Sequence, residues 1–260
     1  MGKFNGKVAL ITGAGSGFGK AMALRFAKED AKIVVADLAS DQGEKTVNMI
    51  RESGGEAISI QADVAQAEDV KRMVKAAVAT FGKLDILCNN AGIVGEGKLT
   101  EITEEQWQKT IAIDLTGVWL GMKYGIPEML KTGGGAVVNT ASIAGFSVLS
   151  GVPADYNAAK AGVIMLTKTA AVEFAPKIRV NCICPGHCLT EMTEQWMTTA
   201  TPEAVAEINA MSPLGRMGTA EEVAQAALFL ACDETSSYIT GESLVVDGGH
   251  TVVSRGEIEL

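Results

Sequence analysis

The chain alternates short apolar runs with longer stretches of helical periodicity. Continuous apolar runs bounded by glycine or polar residues predict buried strands, whereas apolar residues spaced three and four apart predict helices. On this pattern we predict strands at residues 7–12, 32–36, 56–60, 84–88, 136–140, 178–183 and 243–246. Helices are predicted at 17–29, 41–53, 68–81, 104–131, 154–174 and 220–231. Strand–helix alternation of this kind predicts an α/β protein whose parallel sheet carries helices on both faces.

The predicted domain organisation is one domain over residues 1–260, since no linker, repeat or low-complexity run interrupts the pattern. Only the segment 189–218 breaks the alternation, and it mixes apolar side chains such as Met192 and Trp196 with polar ones. Long insertions in compact folds often cover a binding pocket, so we predict a substrate lid. Two ordinary surface helices would produce the same pattern.

A glycine-rich turn follows the first predicted strand and reads TGAGSGFG over residues 12–19. Between a strand and a helix, such a turn brings backbone N–H groups to a phosphate at the helix N-terminus. The glycines fall at 13, 15, 17 and 19, which departs from the common G-x-G-x-x-G spacing of dinucleotide sites. The turn by itself is therefore weak evidence, and its place between a strand and a helix strengthens it.

Acidic residues end the second and third predicted strands. A carboxylate at Asp37 can accept hydrogen bonds from the hydroxyls of an adenosine ribose, and it would repel a 2′-phosphate. No arginine or lysine stands at 14–16 or at Leu38, so the sequence favours NAD over NADP. Asp63 and Val64 would meet the adenine edge in such a fold, although they also suit a helix N-terminus.

A tyrosine and a lysine stand four residues apart in PADYNAAKAG, at Tyr156 and Lys160. Residues with this spacing share one face of a helix. A phenol is a poor base at neutral pH, and a nearby ammonium group favours its phenolate form. The small residues around the pair leave room for a ligand, so the two side chains either act together on a proton or belong to an ordinary packed helix.

Five motifs occur in order along the chain: TGAGSGFG (12–19), NNAG (89–92), Ser142, YNAAK (156–160) and PG (185–186). Together they resemble the short-chain dehydrogenase/reductase family over nearly the whole chain. The resemblance implies a doubly wound, Rossmann-like sheet of seven parallel strands in the order 3-2-1-4-5-6-7. It also implies that the cofactor lies across the point where the strand order reverses.

The resemblance further implies a set of cofactor-binding residues. The glycine turn would hold the diphosphate and ribose, the NNAG motif would line strand four, and the segment after residue 184 would grip the nicotinamide carboxamide through backbone groups. These residues are Gly13, Ser16, Phe18, Gly19, Asn90, Ala91, Gly92, Pro185, Gly186, Cys188 and Thr190. Asn89 is expected to tie neighbouring strands together.

In the family's chemistry, Ser142 would orient an alcohol, Tyr156 would take its proton and NAD would take the hydride. Lys160 would support Tyr156 and bind the nicotinamide ribose. One position departs from the family's pattern, because Asp114 stands in IAIDLTG where asparagine is usual. We expect its main-chain carbonyl to keep the asparagine's role in proton relay, and its carboxylate to stabilise the Lys160 cation and shift the pH profile.

Charge and composition exclude several classes of partner. The formal net charge of −9 disfavours nucleic acid and anionic membrane surfaces, which require basic patches. No apolar run is long enough for a membrane span, and the first residues do not resemble a signal peptide. Five cysteines, an odd number, indicate reduced thiols in a cytoplasmic protein, and we predict no metal site at the cluster Cys182, Cys184, His187 and Cys188.

The predicted function is therefore NAD-dependent hydride transfer between a nicotinamide cofactor and a small-molecule secondary alcohol or ketone that is small, apolar or cyclic. The residues expected at the substrate end are Val94, Ala144, Phe146, Val152, His187, Met192 and Trp196. One alternative is a 3-oxoacyl-[acyl-carrier-protein] reductase, and a second is a non-catalytic NAD-binding scaffold or sensor. We also expect a homo-oligomer, a tetramer or a dimer, that buries helices 104–131 and 154–174.

Overall fold

A computed structural model describes residues 2–149, 151–191, 193 and 198–252 of the chain. Its main sheet contains seven parallel strands, and a pair of two-residue strands, β7 and β8, forms a second sheet. The strands are β1 Val8–Thr12, β2 Lys32–Asp37, β3 Ala57–Gln61, β4 Ile86–Asn89, β5 Gly135–Thr140, β6 Ile178–Pro185, β7 Cys188–Leu189, β8 Gly218–Thr219 and β9 Ser243–Val246.

The main sheet has the order β3-β2-β1-β4-β5-β6-β9, with every neighbouring pair parallel. This order confirms the doubly wound, Rossmann-like fold. The chain leaves β1 toward one edge of the sheet and returns to β4 on its other side. In open α/β sheets of this kind, ligands bind in the crevice at the carboxyl ends of the strands beside that reversal.

Helices cover both faces of the sheet. They are α1 Gly17–Ala27, α2 Ser40–Glu52, α3 Ala67–Phe81, α4 Glu104–Ile111, α5 Gly117–Lys131, α6 Ala154–Phe174, α7 Pro202–Ala210, α8 Ala220–Ala231 and the short α9 Asp233–Ser236. One apolar core lies under α1, α2 and α8 and includes Met22, Phe26 and Ile50. The opposite core lies under α3, α5 and α6 and includes Met73, Ile126 and Val163. Both faces of each central strand are thus buried, which explains the continuous apolar runs.

Two boundaries differ from the sequence prediction in ways that matter for the site. The helix predicted over 104–131 contains a π-helical turn at Ala112–Thr116, between α4 and α5. Strand β6 does not end at residue 183 but continues to Pro185, where it still pairs with Val246 of β9. The thiols of Cys182 and Cys184 therefore face the same side of the sheet, and both are buried in the core under α6.

The segment 189–218 is bracketed by the small β7–β8 pair, in which Cys188 pairs with Gly218 and Leu189 with Thr219. Its two ends are thus held side by side at the carboxyl edge of the sheet. Met192 and Trp196, which were predicted to line the substrate end, lie outside the described residues. No helix in the described part of the chain combines the length and the apolar character that a membrane span needs.

Candidate active site

A cavity of about 480 Å³ opens at the carboxyl ends of the central strands. Its wall contains all but one of the residues predicted to bind the cofactor or to take part in the reaction. Those residues are Gly13, Ser16, Phe18, Asp37, Leu38, Asp63, Val64, Asn90, Ala91, Gly92, Asp114, Ser142, Tyr156, Lys160, Pro185, Gly186, Cys188 and Thr190. Gly19 lies behind the wall, packed against the backbone of Gly13 and the side chain of Asn90.

The glycine turn forms a tight cradle that has no room for a side chain at Gly13 or Gly15. A Cβ on Gly13 would lie 2.9 Å from the Cα of Ala91, and one on Gly15 would lie 2.7 Å from the Cβ of Gln42. Gly13 and Gly17 also adopt positive φ angles of 62° and 50°, which favour glycine. The turn leads directly into α1, whose first residues, Gly17 and Phe18, line the cavity. This geometry fits the diphosphate of a dinucleotide cofactor.

Asp37 ends β2 at the rim of the cradle and is held by backbone donors. Its Oδ2 accepts a hydrogen bond from the Gly15 N–H at 2.8 Å, and its Oδ1 accepts one from the Ala39 N–H at 2.9 Å. These bonds fix the carboxylate where the adenosine ribose of a dinucleotide would lie in a fold of this type. The neighbouring Leu38 is exposed.

The NNAG motif is attached to the first strand through Thr12. The Thr12 hydroxyl accepts hydrogen bonds from the N–H groups of Asn90 and Ala91 at 2.9 and 3.0 Å. The Asn90 side chain in turn donates to the Thr12 carbonyl at 3.0 Å. These bonds hold the ends of β1 and β4 together at the floor of the cavity, which is the topological reversal point.

Asn89 has the structural position that was expected of it. Its Nδ2 donates to the Oδ1 of Asn139 on β5 at 2.9 Å, and Asn139 donates to the hydroxyl of Thr167 on α6 at 2.9 Å. All three side chains are buried. This network links two central strands to the helix that carries Tyr156 and Lys160.

Ser142 follows β5 in an extended conformation and begins a short 3₁₀ turn, Ile143–Gly145. Its Oγ accepts a hydrogen bond from the Ala144 N–H at 3.1 Å. Because that bond uses an oxygen lone pair, the hydroxyl hydrogen stays available for a ligand oxygen. The side chain is therefore fixed in position, and it can still donate into the cavity.

Tyr156 and Lys160 lie one turn apart near the start of α6, as the sequence predicted. The Lys160 Nζ is 5.4 Å from the centre of the Tyr156 ring. It also donates a hydrogen bond to the carbonyl oxygen of Thr140, at the end of β5, at 3.1 Å. Lys160 is 2% exposed, so its cation is held in a medium of low polarity.

Asp114 forms an ion pair with Lys160, with 3.0 Å between the Asp114 Oδ2 and the Lys160 Nζ. The π-helical turn carries Asp114 into the interior, where it is fully buried and its Oδ1 accepts the Ile93 N–H at 2.9 Å. π-helical turns within α-helices are frequent at functional sites. A Cβ on Gly92 would lie 2.8 Å from the Asp114 Oδ2, so only a glycine admits the pair.

The pair shifts the protonation of both partners. Burial raises the pKa of Asp114, although the Lys160 cation and the Ile93 N–H oppose the increase. Burial works against the Lys160 cation, but the Asp114 carboxylate and the neighbouring Tyr156 together raise the pKa of Lys160. The lysine is therefore a stable cation, and the carboxylate beside it offsets much of its charge.

A second buried carboxylate, Asp155, lies directly before Tyr156. Its Oδ2 accepts a hydrogen bond from the Thr110 hydroxyl at 2.6 Å, and its Oδ1 accepts the Tyr156 N–H at 2.9 Å. Asp155 is 1% exposed. Sequence reasoning missed this residue, although an aspartate beside the motif tyrosine in an otherwise small and apolar helix start was a visible signal.

Glu191 also lines the cavity and was not predicted. Its Oε2 accepts the N–H of Gly17 at the start of α1 at 2.7 Å, and its Oε1 is 3.2 Å from the Lys20 Nζ. Ser16, which precedes α1, makes no side-chain capping bond. The glutamate carboxylate therefore provides the anionic partner that a helix N-terminus favours.

The segment after β6 borders the remaining wall. The carbonyl oxygen of His187 accepts the Gly218 N–H at 2.9 Å. The imidazole of His187 lies 5.3 Å from that of His250, with the rings nearly parallel. Burial and the neighbouring His250 lower the pKa of His187. Burial raises the pKa of Cys188 to about 11, so its thiol stays protonated at neutral pH.

The residues expected at the substrate end are only partly brought to the cavity. Val94 and His187 border it, together with Ile93 and Ile113, which were not predicted. Ala144, Phe146 and Val152 lie outside its lining, and Phe146 is half exposed. The loop after Ser142 thus contributes less to the wall than its position in the sequence suggested.

Comparisons with known proteins find relatives over nearly the whole chain. A family model described as enoyl-(acyl carrier protein) reductase matches residues 13–251. A cyclohexanol dehydrogenase of Acinetobacter sp. is 45% identical, and the match covers 96% of each chain. A 2,5-dichloro-2,5-cyclohexadiene-1,4-diol dehydrogenase of Sphingobium indicum is 42% identical, with 95% of this chain and 97% of the relative covered.

Among solved structures, a short-chain type dehydrogenase/reductase from Mycobacterium marinum superposes with a TM-score of 0.89. It is 37% identical to this chain, and the match covers 95% of this chain and 96% of that one. The chain belongs to the short-chain dehydrogenase/reductase family, whose members are oxidoreductases that bind a nicotinamide cofactor.

Proposed function

We propose that this protein is an NAD-dependent dehydrogenase that interconverts a small cyclic or apolar secondary alcohol and its ketone. One observation carries the proposal: the glycine cradle opens into the same cavity as Ser142, Tyr156 and Lys160. A dinucleotide bound on the cradle and a substrate oxygen near Ser142 and Tyr156 would share that cavity.

The reaction requires a proton and a hydride to leave the alcohol. Ser142 donates a hydrogen bond to the substrate oxygen and stabilises the charge that develops there. Tyr156 takes the hydroxyl proton, and the Lys160 cation favours the phenolate that makes this transfer possible. The bound nicotinamide cofactor supplies the hydride acceptor. Ketone reduction follows the same steps in reverse.

The choice of NAD rests on the charge of the cavity wall. Asp37 presents a fixed carboxylate at the ribose end, and a 2′-phosphate there would face a like charge. The charged residues of the described wall are Asp37, Asp63, Asp114, Lys160 and Glu191. The single cation of that set, Lys160, is already engaged by the Asp114 carboxylate and the Thr140 carbonyl.

The substrate class rests on the apolar wall and on the relatives. Ile93, Val94 and Ile113 border the cavity, with the Ile93 N–H bonded to Asp114, and side chains of this kind suit a hydrocarbon ring. The two relatives described above are named for a cyclohexanol and a cyclohexadiene diol. We therefore place cyclic secondary alcohols first among the candidate substrates.

A second candidate function is reduction of 3-oxoacyl groups on an acyl carrier protein. It is favoured by the description of the matching family model, which names an acyl carrier protein. Carrier proteins are acidic, so they bind basic surfaces. The net charge of −9 and the acidic cavity wall argue against such a partner.

The proposal includes a homo-oligomer, a cytoplasmic location and a lid. Neighbouring helices α5 and α6 expose large apolar side chains at Trp119, Met165 and Val172, which a second copy of the chain would cover.

The five cysteines are free and buried, as suits a reducing compartment. The lid is proposed for 189–218, since β7 and β8 hold both of its ends at the cavity.

An activity screen tests the proposed function. Purified protein is supplied with NAD or NADP and a panel of cyclic alcohols, linear alcohols and polyols, and with 3-oxoacyl thioesters plus reduced cofactor. We expect the highest kcat/KM with cyclic secondary alcohols and NAD. Preferential reduction of the thioesters would favour the second candidate. Cofactor binding without turnover of any substrate would indicate a scaffold or sensor.

A further inference from the structure

The ion pair between Asp114 and Lys160 has a consequence for cofactor binding that depends on charge alone. The interior next to Tyr156 contains one basic and two acidic side chains, Lys160, Asp114 and Asp155, each no more than 2% exposed. With all three ionised, they sum to one negative charge. Charges in such an interior are weakly screened, so they act strongly on a charged ligand nearby.

The two forms of a nicotinamide cofactor differ in charge at the ring itself. The oxidised ring carries a positive charge and the reduced ring is neutral, while the rest of the molecule is unchanged. A lone buried lysine beside the ring would therefore favour the reduced form. A lysine whose charge is offset by carboxylates would favour the oxidised form instead.

We propose that Asp114, assisted by Asp155, makes this protein bind the oxidised cofactor in preference to the reduced one. The inference rests on the proposed function, because it requires the nicotinamide ring to lie near Tyr156 and Lys160. Its consequence is that the free enzyme collects NAD⁺ and releases NADH readily. Such an enzyme is suited to alcohol oxidation, with weak inhibition by its reduced product.

The geometry separates this role from a merely structural one. Asp114 is held by the Ile93 N–H through Oδ1 and contacts Lys160 through Oδ2. An asparagine has the same shape and retains an oxygen acceptor, so Asp114→Asn removes the charge while it keeps most of the packing. If Asp114 served only to position Lys160, this variant would change the dissociation constants of both cofactor forms by the same factor.

Asp155 provides an independent variant at a second position. Its carboxylate accepts bonds from Thr110 and from the Tyr156 N–H, and it makes no ion pair with Lys160. We therefore expect Asp155→Asn to shift the preference in the same direction as Asp114→Asn, but less.

The chain also offers a matched control. Asp85 is 5% exposed and lies within 3.0 Å of Lys83 and 3.6 Å of Lys7. It precedes β4, at the amino edge of the sheet and opposite the cavity. Asp85→Asn therefore removes a buried, lysine-paired carboxylate from a place too distant to affect a nicotinamide ring.

The test measures the dissociation constants of NAD⁺ and NADH separately, by calorimetry and by NADH fluorescence, without any alcohol present. We expect the ratio Kd(NADH)/Kd(NAD⁺) to fall about tenfold in Asp114→Asn, about threefold in Asp155→Asn and less than twofold in Asp85→Asn. A ratio unchanged within twofold in folded Asp114→Asn overturns the inference. Should that variant not fold, an unchanged ratio in Asp155→Asn overturns it. Absence of binding by either cofactor form in the unmodified protein would instead refute the proposed function.

Discussion

Lys160 reaches from α6 to the end of β5 and to the π-helical turn at once, with its Nζ 3.1 Å from the Thr140 carbonyl oxygen and 3.0 Å from the Asp114 carboxylate. The lysine thus has a fixed orientation beside Tyr156, and its cation is stabilised before any ligand binds. Burying the Lys160 ammonium group is unfavourable, and its ion pair with Asp114 offsets that cost. The buried Asp114 carboxylate is in turn stabilised by Lys160.

The pH profile of alcohol oxidation depends on the carboxylate of Asp114. The negative charge of Asp114 raises the pKa of Lys160, and it makes the loss of a proton from the groups of the active site harder. In Asp114→Asn this effect disappears, so the rising limb of kcat/KM should move to lower pH by roughly half a unit to one unit. Initial rates between about pH 6 and about pH 10 measure the shift. A profile that superposes on that of the unmodified protein would contradict this role, and Asp85→Asn is the control.

Cofactor choice depends on Asp37. In Asp37→Ala the acceptor for the ribose hydroxyls and the repulsion of a 2′-phosphate are both removed. We expect kcat/KM for NAD to fall roughly 10- to 100-fold and the NADP/NAD ratio to rise. Asp41→Ala is a suitable control, because Asp41 is an exposed aspartate of the neighbouring helix α2. Equal losses with both cofactors would mean that Asp37 only shapes the cradle.

The carboxylate of Glu191 competes for the start of α1. Because it accepts the Gly17 N–H, it lies where a diphosphate would find its hydrogen-bond donors. Glu191→Gln should therefore tighten the binding of ADP and of NAD by about three- to tenfold at low ionic strength, with a smaller effect in high salt. Titrations at two salt concentrations measure this, with the exposed Glu203→Gln as control. Weaker binding in the variant would show that Glu191 holds the cofactor rather than competes with it.

The stability of the fold depends on the asparagine network at its centre. Asn139→Ala leaves the side chains of Asn89 and Thr167 without their partner in a buried site. The expected loss is about 2 kcal/mol in the free energy of unfolding, from unsatisfied polar groups and a small cavity. Urea denaturation measures it, and the exposed Asn48→Ala should be neutral. A loss no larger than that of the control would contradict the structural importance of the network.

The sequence predicted the fold well because its central strands are buried on both faces. Their continuous apolar runs placed the central strands, the partly buried edge strands β3 and β9 were also predicted, and helices 154–174 and 220–231 were predicted with the bounds observed. The π-helical turn at Ala112–Thr116 was not predictable from periodicity, because one extra residue in a turn scarcely disturbs an apolar pattern. The β7–β8 pair was missed because a strand of two residues is too short to show a pattern of apolar and polar positions.

The candidate site was predictable where motifs define it and not where tertiary contacts do. The glycine turn, Asp37, Ser142, Tyr156 and Lys160 lie on one cavity as their order along the chain indicated. Asp155 and Glu191 were missed because their partners, Thr110 and Gly17, are 45 and 174 residues away along the chain. The substrate wall was only partly predicted, because its residues come from loops whose path the pattern does not fix.

The most direct test of the central claim is the rate of NADH formation from cyclohexanol in the unmodified protein and in Tyr156→Phe, with NAD binding measured on both. The variant keeps the ring and loses only the group that carries the proton. We predict a loss of about 10²- to 10⁴-fold in kcat/KM with little change in the dissociation constant of NAD⁺. A variant that oxidises the alcohol as fast as the unmodified protein would contradict the account.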